Sequence, residues 1–251
     1  AQESRGLGDV YKRQAMNIDL SIFTNYAPQL FLGFWMTIKI VVGAIILGLP
    51  FGLVLALGRR SRLKLVRVLT TSFIEIFRNT PFIIQVFMFF YVLPFYGLHL
   101  PAAYVGIVAL AAFGSAYFAE VIRGGINAVA KGQLESARAT GMSDWKAMRF
   151  VILPQTLPII LPAMTNQTLS LVKESAVLST ITVSELTMAA IKVQGETFRP
   201  FEAFIMIALM YWALNETIAT IMRRLERKVS SRSNSGRASG IARADPAVKD
   251  D

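Results

Sequence analysis

The chain has 251 residues, of which 54% are hydrophobic and 17% charged, with a mean hydropathy of +0.49. That balance excludes an ordinary soluble domain and fits a polytopic membrane protein. The formal charge of +10 does not point to nucleic acid, because Lys and Arg gather in short segments between apolar blocks, as the positive-inside rule requires, and form no groove-lining stripe. With no cysteine, a disulfide framework and a thiolate metal site are excluded, and His99 as the one histidine argues strongly against a histidine zinc site or a Ser-His-Asp triad.

Residues 1–15, AQESRGLGDVYKRQA, lack the cationic start and apolar run of a signal peptide and read as a non-native leader, with Met16 as the start. Residues 17–32 read as an amphipathic lead-in with Pro28 near its end. Five apolar runs follow, at 34–57, 78–98, 102–122, 157–177 and 201–221. About twenty residues of helix cross a hydrocarbon layer of about 30 Å, so each is a candidate span. The runs are continuous and lack the alternation of a barrel, so they are helices. Leu65 to Phe77 reads as a helix leading into the second run, interrupted at Arg78-Asn79-Thr80-Pro81.

Arg59, Arg60, Arg62, Lys64 and Arg67 place five cations in nine residues after the first span, which predicts a cytoplasmic end and an external N-terminus. The connector 94–101, which holds His99, has no Lys or Arg and suits the outer side. Residues 181–194 read as a short helix or re-entrant piece there, and Arg223, Arg224, Arg227 and Lys228 anchor the last span inside. From 229 to 251 the chain turns to Ser, Arg, Gly and Ala without apolar period and reads as a disordered tail. The predicted architecture is all-α, with five transmembrane helices, N-out and C-in, in one membrane domain over 16–228.

Between the third and fourth spans lies a polar segment, 132–154, GQLESARATGMSDWKAMRFVILP. Residues 135–140 suit a short helix, and Gly141 is where it ends, since glycine accepts the left-handed C′ position without strain. Ser143 then caps a second helix with Asp144 in its first turn, near the positive end of the dipole. Pro154 stops or kinks that helix. Lys131, Arg138, Lys146 and Arg149 keep the segment on the cytoplasmic face.

Ionisable residues inside a membrane are functional candidates by default. Glu75 with Arg78 and Glu120 with Arg123 are each three apart; each pair either braces a helix end locally or serves function. Gln85 and Ser115 lie deeper in their spans, and Asn166, Gln167, Ser170, Lys173 and Glu174 form a dense polar group in the fourth span. Asn166, Ser170 and Lys173 share one helical face, with Gln167 and Glu174 on the neighbouring stripe. These seven residues are candidates for a translocation pathway; the competing reading is hydrogen bonding between helices of neighbouring subunits.

Glu135-Ser136-Ala137, three residues, Gly141, nine residues and Val151-Ile152-Leu153-Pro154 resemble the EAA loop of ABC-importer permeases, Glu-Ala-Ala, three residues, Gly, nine residues, Ile, one residue, Leu-Pro. Ser136 stands for an alanine and Val151 for the isoleucine. Residues 75–81 with Gln85, 120–133 and Lys173-Glu174-Ser175 resemble blocks of the polar amino acid permease branch, the histidine, glutamine and arginine type, and the likeness covers nearly all of Phe31 to Lys228.

The resemblance implies a type I ABC importer permease of the bacterial inner membrane. Glu135, Ser136, Ala137, Gly141, Leu153 and Pro154 would couple it to ABC ATPase subunits, which bind the ATP and magnesium. It further implies a second permease copy or homologue, a periplasmic or lipid-anchored solute-binding protein, and an amino acid as substrate. The polar stripe would replace the hydration of the ammonium and carboxylate. The chain lacks a G-x-x-x-x-G-K-[ST] loop, so it is expected to be no enzyme and to need no cofactor or metal of its own. Alternatives are the same machine for an opine or osmolyte, or an ATP-independent carrier, which predicts an inverted repeat that the sequence does not display.

Overall fold

From Ala27 to Gly58 a single charge, Lys39, interrupts 32 residues of apolar sequence, and they form one long helix. The computed structural model describes Asp19 and residues 21–243, with side chains as far as Val229. The expected leader at 1–15, Met16 and the last eight residues lie outside the described residues.

In chain order the helices are α1 (Ser21–Asn25), α2 (Ala27–Gly58), α3 (Lys64–Asn79), α4 (Phe82–Val92), α5 (Ala102–Ala128), α6 (Lys131–Ala139), α7 (Asp144–Ala147), α8 (Leu153–Glu174), α9 (Leu186–Thr197) and α10 (Pro200–Arg243). Tight 3₁₀ turns extend α4 over Leu93–Tyr96 and α8 over Ser175–Ile181. No strand occurs among the described residues. Four helical runs are long and apolar enough to cross a membrane: Ala27–Gly58, Ala102–Ala128, Asp144–Ile181 and Pro200–Val229. A fifth candidate is a broken pair, Lys64–Asn79 and Phe82–Tyr96, bent by 113° at the break between them.

Several boundaries differ from the sequence reading. The second span begins at Phe82, not at 78, because Thr80 and Pro81 are extended. A proline lacks the N–H that would continue the ladder and disfavours helix in the residue before it. Gln85 closes this corner: its Nε2 donates to Phe77 O at 2.8 Å and Thr80 O at 2.9 Å, carbonyls that the break leaves without intrahelical partners. The lead-in divides between α1 and the first six residues of α2, and α5 runs six residues past its expected end at 122. The backbone of α10 continues as helix to Arg243, where a disordered tail is expected from 229; adding one residue to an existing helix costs far less than nucleating one.

Pro154 does not end its helix. The turn Met148–Ile152 widens to a π turn, and Leu153 N–H donates to Met148 O, five residues back. That register shift accommodates a residue with no N–H to give, so α7 and α8 form one continuous run.

Between apolar helices in lipid there is little hydrophobic drive, so close approach and polar contacts hold them together. Gly48 and Gly52 of α2 form a small-xxx-small pair against α5: a Cβ on either would lie 2.8 Å from a backbone oxygen, that of Ala111 or of Ser115. Ile40, Ala44, Leu110, Phe118 and Leu171 are buried around this seam. A second cluster, with Leu30, Leu186, Ala190, Val193 and Ala203, joins α2, α9 and α10. There Glu185, fully buried, caps α9 by accepting from the N–H groups of Thr187 (2.9 Å) and Met188 (2.8 Å). Thr37 Oγ1 of α2 accepts from Leu186 N–H at 3.1 Å.

Candidate functional site

The polar segment folds as a helix–turn–helix elbow. Gly141 has φ +83, the left-handed conformation that a Cβ would strain. With it, Met142 N–H donates to Ala137 O (3.1 Å) and Gly141 N–H to Arg138 O (2.9 Å), the paired bonds of a Schellman C-terminus. Ser143 Oγ accepts from Lys146 N–H at the start of α7, and Asp144 sits in the first turn. Arg138 Nε donates to Asp144 Oδ1 at 2.8 Å, bridging the two helices across the turn. Gly141, Ser143 and Asp144 shape the elbow as expected, by local chemistry, whereas Pro154 does not end its helix.

The elbow divides into an anchored side and an open side. Ala137 and Ala147 are buried, whereas Glu135, Ser136, Gly141, Leu153 and Pro154 are exposed. Trp145 is 70% and Phe150 66% exposed, with Met142 beside them. A large indole open to water on a polar loop costs free energy unless a partner covers it, so this face has the character of a docking surface. Neither Trp145 nor Met142 is singled out by the sequence reading; apolar residues inside a polar loop were the available signal.

Behind the elbow, α2, α3 and α5 are tied by charge. Glu120 accepts from Arg123 through Nε (3.1 and 3.2 Å) and Nη2 (2.7 Å) and from Arg59, with Arg78 Nη1 at 3.6 Å. Arg59 Nη2 also reaches Glu75 at 3.4 Å. The expected Glu120–Arg123 pair forms, but Arg78 does not pair with Glu75. Arg78 instead turns to Glu120 and Tyr117, lying 5.7 Å from that ring, because α3 crosses α5 here and presents a more enclosed carboxylate.

The seven polar candidates do not converge. Asn166 and Lys173 are exposed on α8, with Ser170 half-buried between them, so the stripe read from the period faces away from the packed core. Gln167 turns inward, with Nε2 buried and no hydrogen-bond partner, and Glu174 is half-buried. Gln85 sits at the α3–α4 corner and Ser115 is fully buried against α2, donating to Ala112 O at 2.7 Å. Neither lies on the α8 face.

The family described as the binding-protein-dependent transport system inner membrane component matches residues 48–231. The chain is 35% identical over 214 residues to a probable glutamine ABC transporter permease of Bacillus subtilis, covering 85% of this chain and 98% of that protein. It is 34% identical over 217 residues to the arginine transport system permease protein ArtQ of the same organism, covering 86% and 99%. Among solved structures, an amino acid ABC transporter crystallised with histidines superposes with a TM-score of 0.80 at 38% identity, over 84% of this chain and 99% of that one. An inward-facing methionine ABC transporter superposes with a TM-score of 0.66 at 24% identity, over 80% and 96%, a likeness of fold alone.

Proposed function

Since the chain belongs to the family of inner membrane components of binding-protein-dependent transport systems, we propose that it is the permease subunit of an ABC importer that carries polar amino acids into the cytoplasm. The observation that carries this reading is the elbow at 131–152: a rigid turn closed at Gly141, with Trp145 and Met142 on its open side. Separate ATPase subunits bind ATP and magnesium and seat this face in a groove.

The fold supplies the transmission. Load on α7 passes without a hinge into α8, because the two form one helical run from Asp144 to Ile181. Load on α6 reaches α5 through a two-residue connection, Val129-Ala130, and α5 is held to α2 and α3 by the Glu120 arginines. The spans therefore tilt as a unit, which makes the subunit a two-state element biased by the nucleotide state of its partner.

The basic segments face the cytoplasm, so the N-terminus is outside and the C-terminus inside. A second permease, identical or homologous, covers the polar face of α8, since Asn166 and Lys173 on a lipid-facing surface would cost several kcal/mol. Asn166, Ser170 and Lys173 then line the route, and a solute-binding protein delivers the amino acid at the outer face. Gln85 and Ser115 act as framework.

Affinity purification of the detergent-solubilised chain from its host, with mass spectrometry of what accompanies it, tests this reading. An ABC ATPase is expected, and Glu135→Lys or Gly141→Pro should uncouple ATP hydrolysis from uptake while leaving insertion intact. A preparation without ATPase, or unchanged uptake in both variants, overturns it. Uptake of an opine or osmolyte in preference to amino acids would change the cargo and keep the machine.

A further inference from the structure

The turn between α2 and α3 carries more cations than the fold uses. Arg59 is consumed by Glu120 and Glu75, and Arg62 lies near enough to Asp144 of the elbow to help Arg138 hold that carboxyl below its usual range. Among the described residues Arg60, Arg62, Lys64 and Arg67 make no contact ion pair, and all four are exposed. The turn is ordered by its own hydrogen bonds: Arg60 N–H to Leu57 O (3.0 Å), Ser61 N–H to Gly58 O (3.0 Å), and Leu63 N–H to Ser61 Oγ (3.2 Å). Like charges are thus held together on a fixed backbone, which is unfavourable unless something anionic lies against them.

The helix that follows is amphipathic in three sectors. Ile74 is fully buried and Val66, Thr70, Phe73 and Phe77 pack inward beside it, with Phe73 against Phe51 of α2 and Phe77 against Phe89 of α4. Leu65 (71% exposed), Leu69 and Ile76, spaced by four and seven, form an open apolar stripe. Lys64 and Arg67 lie on the remaining polar sector with Glu75, while Arg78 on the same side is turned to Glu120 and Tyr117 of α5. An apolar stripe beside a cationic edge, on a helix set at 113° to the span it leads into, is the form of a helix lying in the plane of a membrane surface.

Beside the same turn a cleft of about 240 Å³ opens between Arg60, the end of α5 and the elbow. Val129, Leu134, Met148 and Ile152 make it apolar, and Arg60 and Lys131 bring two cations to it. A cleft with an apolar lining and a cationic rim suits a molecule with an anionic head and a hydrocarbon tail. A free phosphate would satisfy the cations and leave both the cleft and the stripe of α3 uncovered.

We propose that Arg60, Arg62, Arg67 and Lys131, with the stripe of α3 and the cleft behind the elbow, form a binding site for an anionic phospholipid of the leaflet that the α2–α3 turn faces. The site adjoins Met148 and Ile152, in the π turn through which α7 joins α8, so its occupancy bears on the continuous run that carries load from the elbow. It rests on the importer reading only for that last consequence; the lipid contact itself requires only a membrane.

Native mass spectrometry of the full chain in detergent, titrated with dioleoylphosphatidylglycerol or dioleoylphosphatidylcholine, tests it. The chain should retain phosphatidylglycerol in preference, and Arg60→Gln with Arg62→Gln and Arg67→Gln should lower that retention by about tenfold or more, as expected when three near-surface cations are lost. Arg60→Gln with Lys131→Gln, which leaves the charges that set topology largely in place, should lower it by a smaller factor, and serves if the triple variant does not insert. Glycerol phosphate in excess should not displace the lipid. Equal retention of the two lipids, equal retention of phosphatidylglycerol by the variants, or displacement by glycerol phosphate overturns the proposal. A chain that co-purifies with an ATPase but shows no lipid preference sinks the lipid site alone, and the reverse outcome sinks the importer reading alone.

Discussion

Tyr211 of α10 donates its hydroxyl to Glu185 Oε2 at 2.8 Å, while Glu185 caps α9 with both carboxylate oxygens. Thr187 Oγ1, 3.0 Å from the same hydroxyl, completes the group. One buried carboxylate thus fixes the start of α9 and the position of α10 together. Tyr211→Phe removes one donor from a buried acceptor and should cost about 1–3 kcal/mol. In a chain of this size that lowers the thermal midpoint by about 2–4 °C per kcal/mol, read by thermal unfolding in detergent. A midpoint identical to that of the parent chain would mean that Tyr211 is held by packing alone.

Glu120 gathers Arg59, Arg78 and Arg123 from three helices. Glu120→Gln keeps the shape and leaves three guanidinium groups facing one another, at a cost of about 3 kcal/mol when a largely enclosed pair loses its partner. Arg59→Gln combined with it should cost less than the two changes added, because one of the repelling cations is gone. Strictly additive losses of stability would show that Arg59 and Glu120 do not interact.

Gly52 touches α5 so closely that a side chain has nowhere to go. Gly52→Val places its Cβ 2.8 Å from Ser115 O and 2.9 Å from Phe118 Cβ. Overpacking of this kind costs about 1–3 kcal/mol or parts the helices. The expected result is a sharp fall in folded, detergent-soluble chain on size-exclusion chromatography, with Gly132→Val, at an open position, as the unaffected control. Equal yields from the two would show that α2 and α5 separate without penalty.

What the residues disclosed about themselves depended on distance along the chain. Gly141, Ser143 and Asp144 act within a few residues of their partners, so turn chemistry alone locates the elbow. The Gly48–Gly52 pair is equally local and readable as a close-packing motif, although its partner helix is not. Arg78 shows the limit. Three-residue spacing offers Glu75 as its partner, whereas the helix crossing offers Glu120, which is 42 positions away. Ser115 and Asn166 look alike as polar residues in apolar runs, and only packing separates one sealed against α2 from one left open. Glu185 carries a fainter signal, a lone carboxylate in a mostly apolar stretch whose partner Tyr211 lies on another helix.

That separation yields the sharpest test of transport. Ser115 donates within its own helix and is fully buried, so Ser115→Ala should leave uptake kinetics unchanged. Lys173 is exposed on the open face of α8, with Asn166 and Ser170 along the same stripe, so it is available to a substrate carboxylate once a second subunit encloses that face. Lys173→Met keeps the length and apolar stem of the side chain and removes the charge. Because the residue is exposed, folding and ATPase assembly should survive. Loss of one charge-assisted hydrogen bond, worth about 1.5–3 kcal/mol, should raise the KM for uptake by about tenfold or more. Reconstituted vesicles assayed with a labelled amino acid read this directly. Unaltered KM in Lys173→Met, or a loss in Ser115→Ala as large as in Lys173→Met, would move the route away from α8 and leave the stripe as a contact between subunits.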